Sequence, residues 1–422
     1  MPPILLPALD QGLLRFVTCG SVDDGKSTLI GRLLYDCKAI LADALDNLRR
    51  ASTRRGASGL DLSLITDGLQ AEREQGITID VAYRYFATAT RKYILGDAPG
   101  HEQYTRNMVT AASTADLAII LVDASKGVLP QTRRHAALAH LLGVRRLVVA
   151  VNKMDLAGWS RERFQAIRAD CLALAGGLGA EPPECLPISA LAGDGVVDRG
   201  GHMPWYQGPT LLETLEAAPS GADRLDLPLR MPVQWVCRPR QGGEFRAYAG
   251  RLASGEIQAG AEVLVLPAGA RTRVQGIWQG EEELAAARMG QSVLLALADQ
   301  LDVGRGDLLA GTERPPTVTR RLEADLCWFA ETPATPGDRL LLRAGTREVR
   351  ARLEAIRSRL DIASLAPAPA RELAMNDIGR VSLALQAPIA AEPFQRNPAT
   401  GAFILVDGRD NGTVAGGMVR GT

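Results

Sequence analysis

One nonapeptide constrains the fold of this 422-residue chain more than any other stretch. It has the form G-x-x-x-x-G-K-[ST], which is typical of a loop that wraps phosphate groups. An apolar run over 14–19 predicts a strand before it, and the apolar period of 29–34 predicts a helix after it. A strand, a glycine-rich turn and a helix N-terminus together present backbone N–H groups to an anion. The motif consists of Gly20, Ser21, Val22, Asp23, Asp24, Gly25, Lys26, Ser27 and Thr28.

Two side chains of this motif have predicted roles. We expect the Lys26 ammonium to reach the β- and γ-phosphates of a nucleotide and the Ser27 hydroxyl to bind Mg²⁺. A glycine-rich turn that binds nothing is the alternative for the motif taken alone, and the strand–loop–helix context disfavours it. The sequence therefore predicts a P-loop.

Short apolar runs alternate with helical stretches from residue 14 to about 218, which predicts an α/β fold with a mostly parallel sheet. Strands are expected at 92–97, 117–123 and 146–152. Ligands of open parallel sheets bind beyond the carboxyl ends of the strands. We therefore expect the loops after these strands to meet the P-loop in one crevice.

The loop Asp97, Ala98, Pro99 and Gly100 predicts a metal and hydrolysis site. Asp97 ends a strand, where its carboxylate could hold Mg²⁺ directly or through water. The Gly100 N–H could contact the γ-phosphate, and His101 follows where a residue that orients the attacking water is needed. Taken alone, His101 would be read as a structural histidine.

Two later loops predict that the base is guanine. Asp155 can accept hydrogen bonds from the guanine N1–H and exocyclic amine, which adenine cannot supply, while Asn152 and the stem of Lys153 brace the base. The second loop, expected to give a backbone N–H to the guanine oxygen, consists of Ser189, Ala190 and Leu191. Each loop alone could be an ordinary turn. Together, and in this order, they predict a site for GTP.

A threonine in a segment next to a glycine, Thr78, predicts a conformational change that depends on the nucleotide. We expect the Thr78 hydroxyl to be a second Mg²⁺ ligand that binds only when a γ-phosphate is present. An order–disorder change of this segment would then report the state of the nucleotide.

Composition excludes several classes of protein. Lysine plus arginine equals aspartate plus glutamate at 48 each, which argues against a broad nucleic-acid-binding surface. Six cysteines without C-x-x-C spacing give neither a zinc site nor a disulfide framework. The chain has no run of about 18 apolar residues, so the sequence predicts no membrane-spanning helix. A cytoplasmic protein is expected.

The remaining chain predicts further domains. Residues 1–13 read as an arm, and 14–218 form the P-loop domain with helical fragments and a mobile loop over 36–76. After a linker near 219–224, short β-type runs broken by Gly and Pro, such as a strand at 232–237, predict two β-barrels at 225–314 and 317–422. Residues 367–370, which include two prolines, are expected to form a loop within the second barrel.

Several segments resemble one family closely. Residues 20–28, 67–86 and 99–108 look like the large, GTPase subunit of bacterial sulfate adenylyltransferase (ATP sulfurylase subunit 1), and 203–206 and 397–401 look like later segments of it. The family belongs to the elongation-factor-like GTPases, with a P-loop domain followed by two β-barrels. The likeness runs from about 14 to 419.

The resemblance implies a function. The subunit would bind and hydrolyse GTP in complex with a smaller catalytic subunit, which forms adenosine 5′-phosphosulfate and pyrophosphate from ATP and sulfate. GTP hydrolysis would drive this uphill step, with no nucleic acid or membrane as partner. Ala98 stands where the family usually carries threonine, and we expect little effect because that side chain need not touch the nucleotide.

Two alternatives stay open at this point. A translation elongation factor that delivers aminoacyl-tRNA shares the pattern of 71–80 and the three-domain plan. Against it, Asp24 stands where bacterial elongation factors carry histidine, and 317–422 lacks a lysine-rich face for phosphate contacts. The other alternative is a GTP-regulated scaffold without metabolic coupling.

Overall fold

The apolar run before the P-loop forms a central, buried strand of the N-terminal sheet. The computed structural model describes residues 12–40, 42–54, 60–65, 80–144, 146–219, 227–238 and 246–421. The chain divides into two units, Met1–Gly221 with Ile362–Leu365 and Ala222–Asp361 with Ala366–Thr422. The first unit contains β1 (Leu13–Cys19), α1 (Lys26–Asp36), α2 (Ala42–Arg54), β2 (Ala82–Ala87), β3 (Lys92–Asp97), α3 (Thr105–Ala112), β4 (Leu117–Asp123), α4 (Pro130–Leu141), β5 (Arg146–Asn152), α5 (Arg161–Leu178), β6 (Glu184–Pro187) and α6 (Leu211–Ala217).

The sheet of this unit has the order β2-β3-β1-β4-β5-β6. All neighbouring pairs are parallel except β2 with β3, which confirms the predicted mostly parallel sheet. Every residue of β4 is buried, as expected for a strand whose two faces are both covered. The strands predicted at 92–97, 117–123 and 146–152 are confirmed, whereas β2 has no counterpart among the predicted strands.

Helix α1 carries the P-loop into the core. Its apolar residues Leu29, Ile30 and Leu33 are buried in one cluster with Phe16 of β1. A 3₁₀ turn at Leu62–Ile65 packs so closely on α1 that a Cβ at Gly31 would lie 2.1 Å from a backbone oxygen of that turn.

The prediction of helical fragments over 36–76 is confirmed by α2 and this turn. Residues 41, 55–59 and 66–79 lie outside the described part of the chain, so the predicted mobile loop stays a prediction.

The second unit is antiparallel β structure. Its elements are β7 (Arg230–Pro232), β8 (Trp235–Cys237), β9 (Ala247–Arg251), β10 (Glu256–Gln258), β11 (Glu262–Leu266), β12 (Ala270–Gln279), β13 (Glu282–Leu284), β14 (Ala286–Arg288), β15 (Ser292–Leu297), β16 (Leu308–Gly311), β17 (Thr317–Trp328), β18 (Arg339–Ala344), β19 (Arg347–Leu360), β20 (Pro367–Ala368), β21 (Ile378–Ala391), α7 (Pro398–Gly401), β22 (Ala402–Val406) and β23 (Thr413–Gly421). Strands β7–β16 surround one apolar core and β17–β23 another.

The later strands close into a barrel. The order β18-β22-β23-β17-β21-β19 returns to β18 through an additional pairing of β18 with β19. Two local expectations were wrong. The predicted strand at 232–237 is divided into β7 and β8, and the predicted loop at 367–370 contains β20, which pairs with Arg359 and Leu360 at the end of β19.

A buried ion pair joins the two groups of strands within the second unit. Arg230 of β7 is fully buried, and its guanidinium donates to both carboxylate oxygens of Glu392, at 3.0 and 3.1 Å. Asn397 donates to Ser254 Oγ at 3.0 Å, and the Thr400 hydroxyl donates to Glu392. Residues 397–401, noticed first as a family-like segment, therefore form this joint.

The limits given for the arm and the three domains stay predictions, since residues 1–11 and 220–226 lie outside the described part. Within the described residues, every helix is too short or too polar to cross a bilayer.

Candidate nucleotide site

The predicted loops lie at one rim of the parallel sheet. Strands β3, β1, β4, β5 and β6 are parallel neighbours in that order, so their carboxyl ends share one edge. The chain leaves β1 toward β3 and later returns to its other side as β4. This reversal creates the crevice in which sheets of this kind bind ligands.

The P-loop is closed by its own aspartate. Ser21 N–H donates to Asp24 Oδ2 at 2.6 Å, and Asp24 N–H donates to Ser21 O at 3.3 Å. The Asp24 side chain is only 1% exposed, and this burial raises its pKa to about 6, with the Ser21 hydrogen bond opposing the rise. Asp24 is therefore a structural member of the loop.

The backbone of the loop leaves N–H groups for a ligand. Asp23 and Gly25 have φ of 69° and 90°, and their N–H groups have no acceptor within the described residues. Positive φ in such a loop turns successive N–H groups toward one concavity, which favours anions. Gly25 also precedes α1, so the unbonded N–H groups of the first helical turn lie beside this concavity.

The Lys26 side chain fits a phosphate ligand. It is 8% exposed, and its ammonium has no hydrogen-bond or ion-pair partner in the part of the chain that the structure describes. A buried charge is costly unless it is paired. The position therefore suits an anionic ligand that completes the pairing.

Asn152 ties three loops together. Its Nδ2 donates to Asp24 O at 2.8 Å, and its Oδ1 accepts from Ala190 N–H at 2.9 Å. A Cβ at Gly25 would lie 2.5 Å from Asn152 Nδ2, so glycine is needed for this approach. Both polar groups of the Asn152 side chain thus contact protein, and its predicted role in bracing the base would act through the loops that it joins.

The loop after β6 positions the proposed base acceptor. Ser189 Oγ donates to Asp155 Oδ1 at 2.6 Å, which fixes one carboxylate oxygen and leaves lone pairs on both for a ligand. Ala190 N–H is used by Asn152, whereas Leu191 N–H has no acceptor among the described residues. Leu191 therefore supplies the available N–H of this loop.

The Lys153 ammonium is held by a carboxylate of the neighbouring strand. It pairs with Asp123 Oδ2 at 2.9 Å at the end of β4. Burial opposes the charge on Asp123, but hydrogen bonds from Ser125 and Lys153 outweigh it and lower the pKa of Asp123. With its charged end fixed, Lys153 leaves its aliphatic stem for contacts with a ligand, and the predicted contact of this stem with the base stays a prediction.

The loop after β3 touches the P-loop directly. Asp97, Ala98, Pro99 and Gly100 are all buried, and a Cβ at Gly100 would lie 2.7 Å from Gly20 O. His101 follows, half-buried, and its Nδ1 accepts from Gln103 N–H at 3.3 Å. Hydroxyl and carboxylate oxygens of Ser27 and Asp97 are suitable Mg²⁺ ligands. Thr78 lies outside the described residues.

Sequence reasoning missed an arginine that joins the phosphate helix to the base loop. Arg32 of α1 donates from Nε to Ala190 O at 3.1 Å and from Nη2 to Leu191 O at 2.7 Å. Asp36 lies 3.5 Å from the same guanidinium. The only local signal is a basic residue on the first helix, which does not reveal a partner 158 residues away.

A second group of residues that the sequence did not indicate supports the loop after β6. Asp194, 5% exposed, gives its backbone oxygen to Ser189 N–H at 2.9 Å, while its Oδ1 lies 2.9 Å from His202 Nδ1. The His202 ring stacks on Trp159 at 4.4 Å, and Trp205 Nε1 donates to Trp159 O at 3.0 Å. The family-like segment at 203–206 thus belongs to the support of this loop.

Comparisons with known proteins identify the family of this chain. Residues 11–220 match the family described as Elongation factor Tu GTP binding domain, and 321–420 match the GTP-eEF1A C-terminal domain-like family. The Sulfate adenylyltransferase subunit 1 of Citrobacter koseri is 49% identical over 97% of this chain and 86% of its own length. The chain belongs to the sulfate adenylyltransferase subunit 1 family.

Longer relatives of this family also match. The Bifunctional enzyme CysN/CysC of Mycobacterium tuberculosis is 51% identical over 96% of this chain and 67% of its own length, and that of Xylella fastidiosa is 49% identical over 96% and 65%. The chain thus spans about two thirds of these bifunctional relatives. A solved structure of sup35 complexed with GDP covers 100% of this chain and 97% of its own at 25% identity, but its TM-score of 0.44 supports no argument.

This subunit 1 chain is an elongation-factor-like GTPase, as the sequence predicted. Family membership at 49% identity favours this assignment over the translation elongation factor, which was the first of the two alternatives. The P-loop domain followed by antiparallel β structure with a closed barrel confirms the predicted fold class.

Proposed function

We propose that this chain binds and hydrolyses GTP with Mg²⁺ and couples that reaction to adenylyl sulfate formation by a partner catalytic subunit. The buried Lys26 ammonium carries the nucleotide part of the proposal, because it has no partner among the described residues and an anionic ligand would pair its charge. Family membership supports the sulfate part. We place the complex in the cytoplasm, in keeping with six cysteines that form no disulfide bond.

The base is guanine in this proposal. Asp155 accepts from the guanine N1–H and exocyclic amine, and Leu191 N–H donates to the guanine oxygen. Ser189 and Asp194 hold these groups in place through the hydrogen bonds described above. The Lys153 stem and Asn152 form the sides of the base site.

The phosphates lie over the P-loop. N–H groups from Asp23 and Gly25 onward donate to phosphate oxygens, and Lys26 reaches the β- and γ-phosphates. Ser27, Thr78 and Asp97 would hold Mg²⁺, Asp97 directly or through water. The ion would supply positive charge against the negative charge that develops on the phosphates during transfer.

Hydrolysis depends on His101 and Gly100. The Gly100 N–H contacts the γ-phosphate, and its close approach to Gly20 keeps the two loops in register. Because His101 Nδ1 already accepts from Gln103, Nε2 is the ring atom left to orient the attacking water.

His101→Ala tests this proposal. We expect GTP turnover to fall at least about 100-fold, the size typical for a lost acid–base or water-orienting group, with the dissociation constant for GTP nearly unchanged. His140→Ala on α4 is the matched control and should retain turnover. Unchanged turnover in His101→Ala would contradict the assigned role.

Coupling requires contacts with the partner that differ between the GTP and GDP states. We expect the segment that contains Thr78, which lies outside the described residues, and the region after Gly100 to respond to the γ-phosphate. Loss of that phosphate removes their ligand contacts, so the partner meets a different surface. The partner in this proposal is the smaller catalytic subunit.

A further inference from the structure

A groove lined by arginines lies on the outer face of the closed barrel, in the second unit. It has a volume of about 670 Å³ and runs across β18, β19 and β21. We call it the arginine groove and define it by Arg339, Leu341, Arg350, Arg352, Ala384 and Gln386. None of these residues belongs to the nucleotide site.

Strand register explains why the arginines share one face. Arg339 pairs with Arg352 and Leu341 with Arg350 across β18 and β19. The alternate residues, such as Leu340 and Ala351, are buried in the barrel core, as the two-residue period of a strand requires. The guanidinium groups therefore project outward on either side of the half-buried Leu341.

The groove carries an excess of positive charge. Arg339 and Arg350 have no hydrogen-bond or ion-pair partner in the part of the chain that the structure describes. Glu354 lies 3.6 Å from Arg352 and 3.7 Å from Arg321, so one carboxylate serves two guanidinium groups. A chain with zero formal net charge thus concentrates unneutralised arginines on this face.

We propose that the arginine groove binds an extended acidic segment of the catalytic subunit, an inference that rests on the proposed function. The guanidinium fork of arginine matches a carboxylate in two parallel hydrogen bonds. Arg350 and Arg352 are two residues apart on one strand, about 6.6 Å. Carboxylates at alternate positions of an extended partner segment have the same spacing and meet them one to one.

The floor of the groove supports the same occupant. Leu341 and Ala384 are half-buried and give the stems of acidic side chains an apolar surface. No aromatic side chain is found among the described residues that line the groove. Proteins that bind single-stranded nucleic acid stack its bases on aromatic rings, so the lining favours a protein segment.

Charge reversal tests the groove. We expect Arg339→Glu with Arg350→Glu to weaken binding of the purified catalytic subunit by about 10- to 100-fold, since attraction becomes like-charge repulsion. The salt dependence of the dissociation constant should shrink as well. The matched control reverses two exposed arginines elsewhere in the barrel, Arg371→Glu with Arg396→Glu, and should bind normally.

A neutral double variant, Arg339→Gln with Arg350→Gln, perturbs the fold less than charge reversal. It should also weaken binding of the catalytic subunit, but by a smaller factor. Retained GTP turnover without the partner shows that each variant is folded. Normal subunit binding by the groove variants, or an equal loss in the control, would overturn the proposal. So would retained subunit binding with lost affinity for single-stranded RNA. Failure of the unaltered chain to bind the catalytic subunit would instead contradict the proposed function itself.

Discussion

At the scale of single residues, we assign the choice of base to one carboxylate. Asp155 is positioned by Ser189 Oγ at 2.6 Å, and its remaining lone pairs can accept from the donors that guanine has and adenine lacks. In this proposal, the specificity depends on a charge-assisted hydrogen bond to the ligand, which contributes about 1.5–3 kcal/mol.

Asp155→Asn should reverse this preference. An amide presents N–H groups to the base, so GTP affinity should fall about 10- to 100-fold while xanthosine triphosphate, which has an oxygen in place of the amine, gains. Titration with fluorescent analogues of both nucleotides measures this. Asp170→Asn, exposed on α5, is the control. If Asp155→Asn still preferred GTP over xanthosine triphosphate as strongly as the unaltered chain does, Asp155 would not belong to the base site.

A second residue, Asp24 of the P-loop, makes the stability of the folded chain depend on pH. The folded-state pKa of Asp24 is about 6, above its ordinary value of 3.8, because the side chain is buried. A raised pKa means that the protonated form favours folding, so this contribution is complete below 3.8 and is lost as the pH rises through about 6.

Asp24→Asn should therefore stabilise the nucleotide-free chain at neutral pH. The amide is uncharged and can still accept from Ser21 N–H. We expect the free energy of unfolding to rise by about 2 kcal/mol at pH 7.5 and to change little at pH 4. Urea unfolding at both values measures it. A stabilisation that is independent of pH would show that burial of the charge is not its cause.

Residue patterns predicted the site loops but not their supports. Asp97, Asn152 and Asp155 follow buried strands at motif spacings, so their convergence could be read directly. Arg32 and Asp194 could not be found this way, because their roles consist of contacts with backbone atoms or rings whose position only the folded chain fixes. The same holds for Arg230, since no sequence pattern announces a partner 162 residues away.

At the scale of elements, the loops after β1 and β3 act as one unit. Gly100 approaches Gly20 O so closely that a Cβ would lie 2.7 Å away, and the obstacle is backbone rather than a flexible side chain. The two loops therefore have no room to accommodate a larger residue without moving apart.

Gly100→Ala should separate them. Overpacking of this kind costs about 1–3 kcal/mol, which predicts GTP binding roughly 10-fold weaker and slower hydrolysis. A fluorescent guanine nucleotide reports the dissociation constant. Gly176→Ala in α5 is the matched control because nothing lies within 4 Å of its Cβ, and it should leave binding unchanged. Equal affinities in the two variants would contradict the interlock.

Element prediction failed where tertiary pairing decided the outcome. The run at 232–237 looks continuous in sequence, yet β7 pairs with β16 and β8 with β9, so it divides between two partners. Residues 367–370 looked like a loop because of their prolines, but the end of β19 pairs with Pro367 and Ala368. Both outcomes depend on strands far away in sequence.

At the scale of the whole molecule, a buried ion pair joins the two groups of strands in the second unit. Arg230 and Glu392 are 0% and 3% exposed, and Thr400 completes the hydrogen bonds of the carboxylate. A buried pair of this kind is much more costly to break on one side than to replace as a whole.

Arg230→Met should lower the free energy of unfolding by about 3–5 kcal/mol, because Glu392 is left buried without its partner. Adding Glu392→Leu should recover part of the loss. Urea unfolding measures both, with Arg271→Met as control, since that arginine pairs with Glu262 at the surface. A loss no larger than that of the control would show that the pair does not hold the joint.

In the proposed function, GTP hydrolysis drives the uphill formation of adenylyl sulfate. The most direct test measures adenylyl sulfate formed by the purified complex of this chain and the catalytic subunit with ATP, sulfate and Mg²⁺. With GTP, the product should accumulate above the level reached with GDP, and in proportion to the GTP hydrolysed. An equal product level with GTP and GDP would contradict the account.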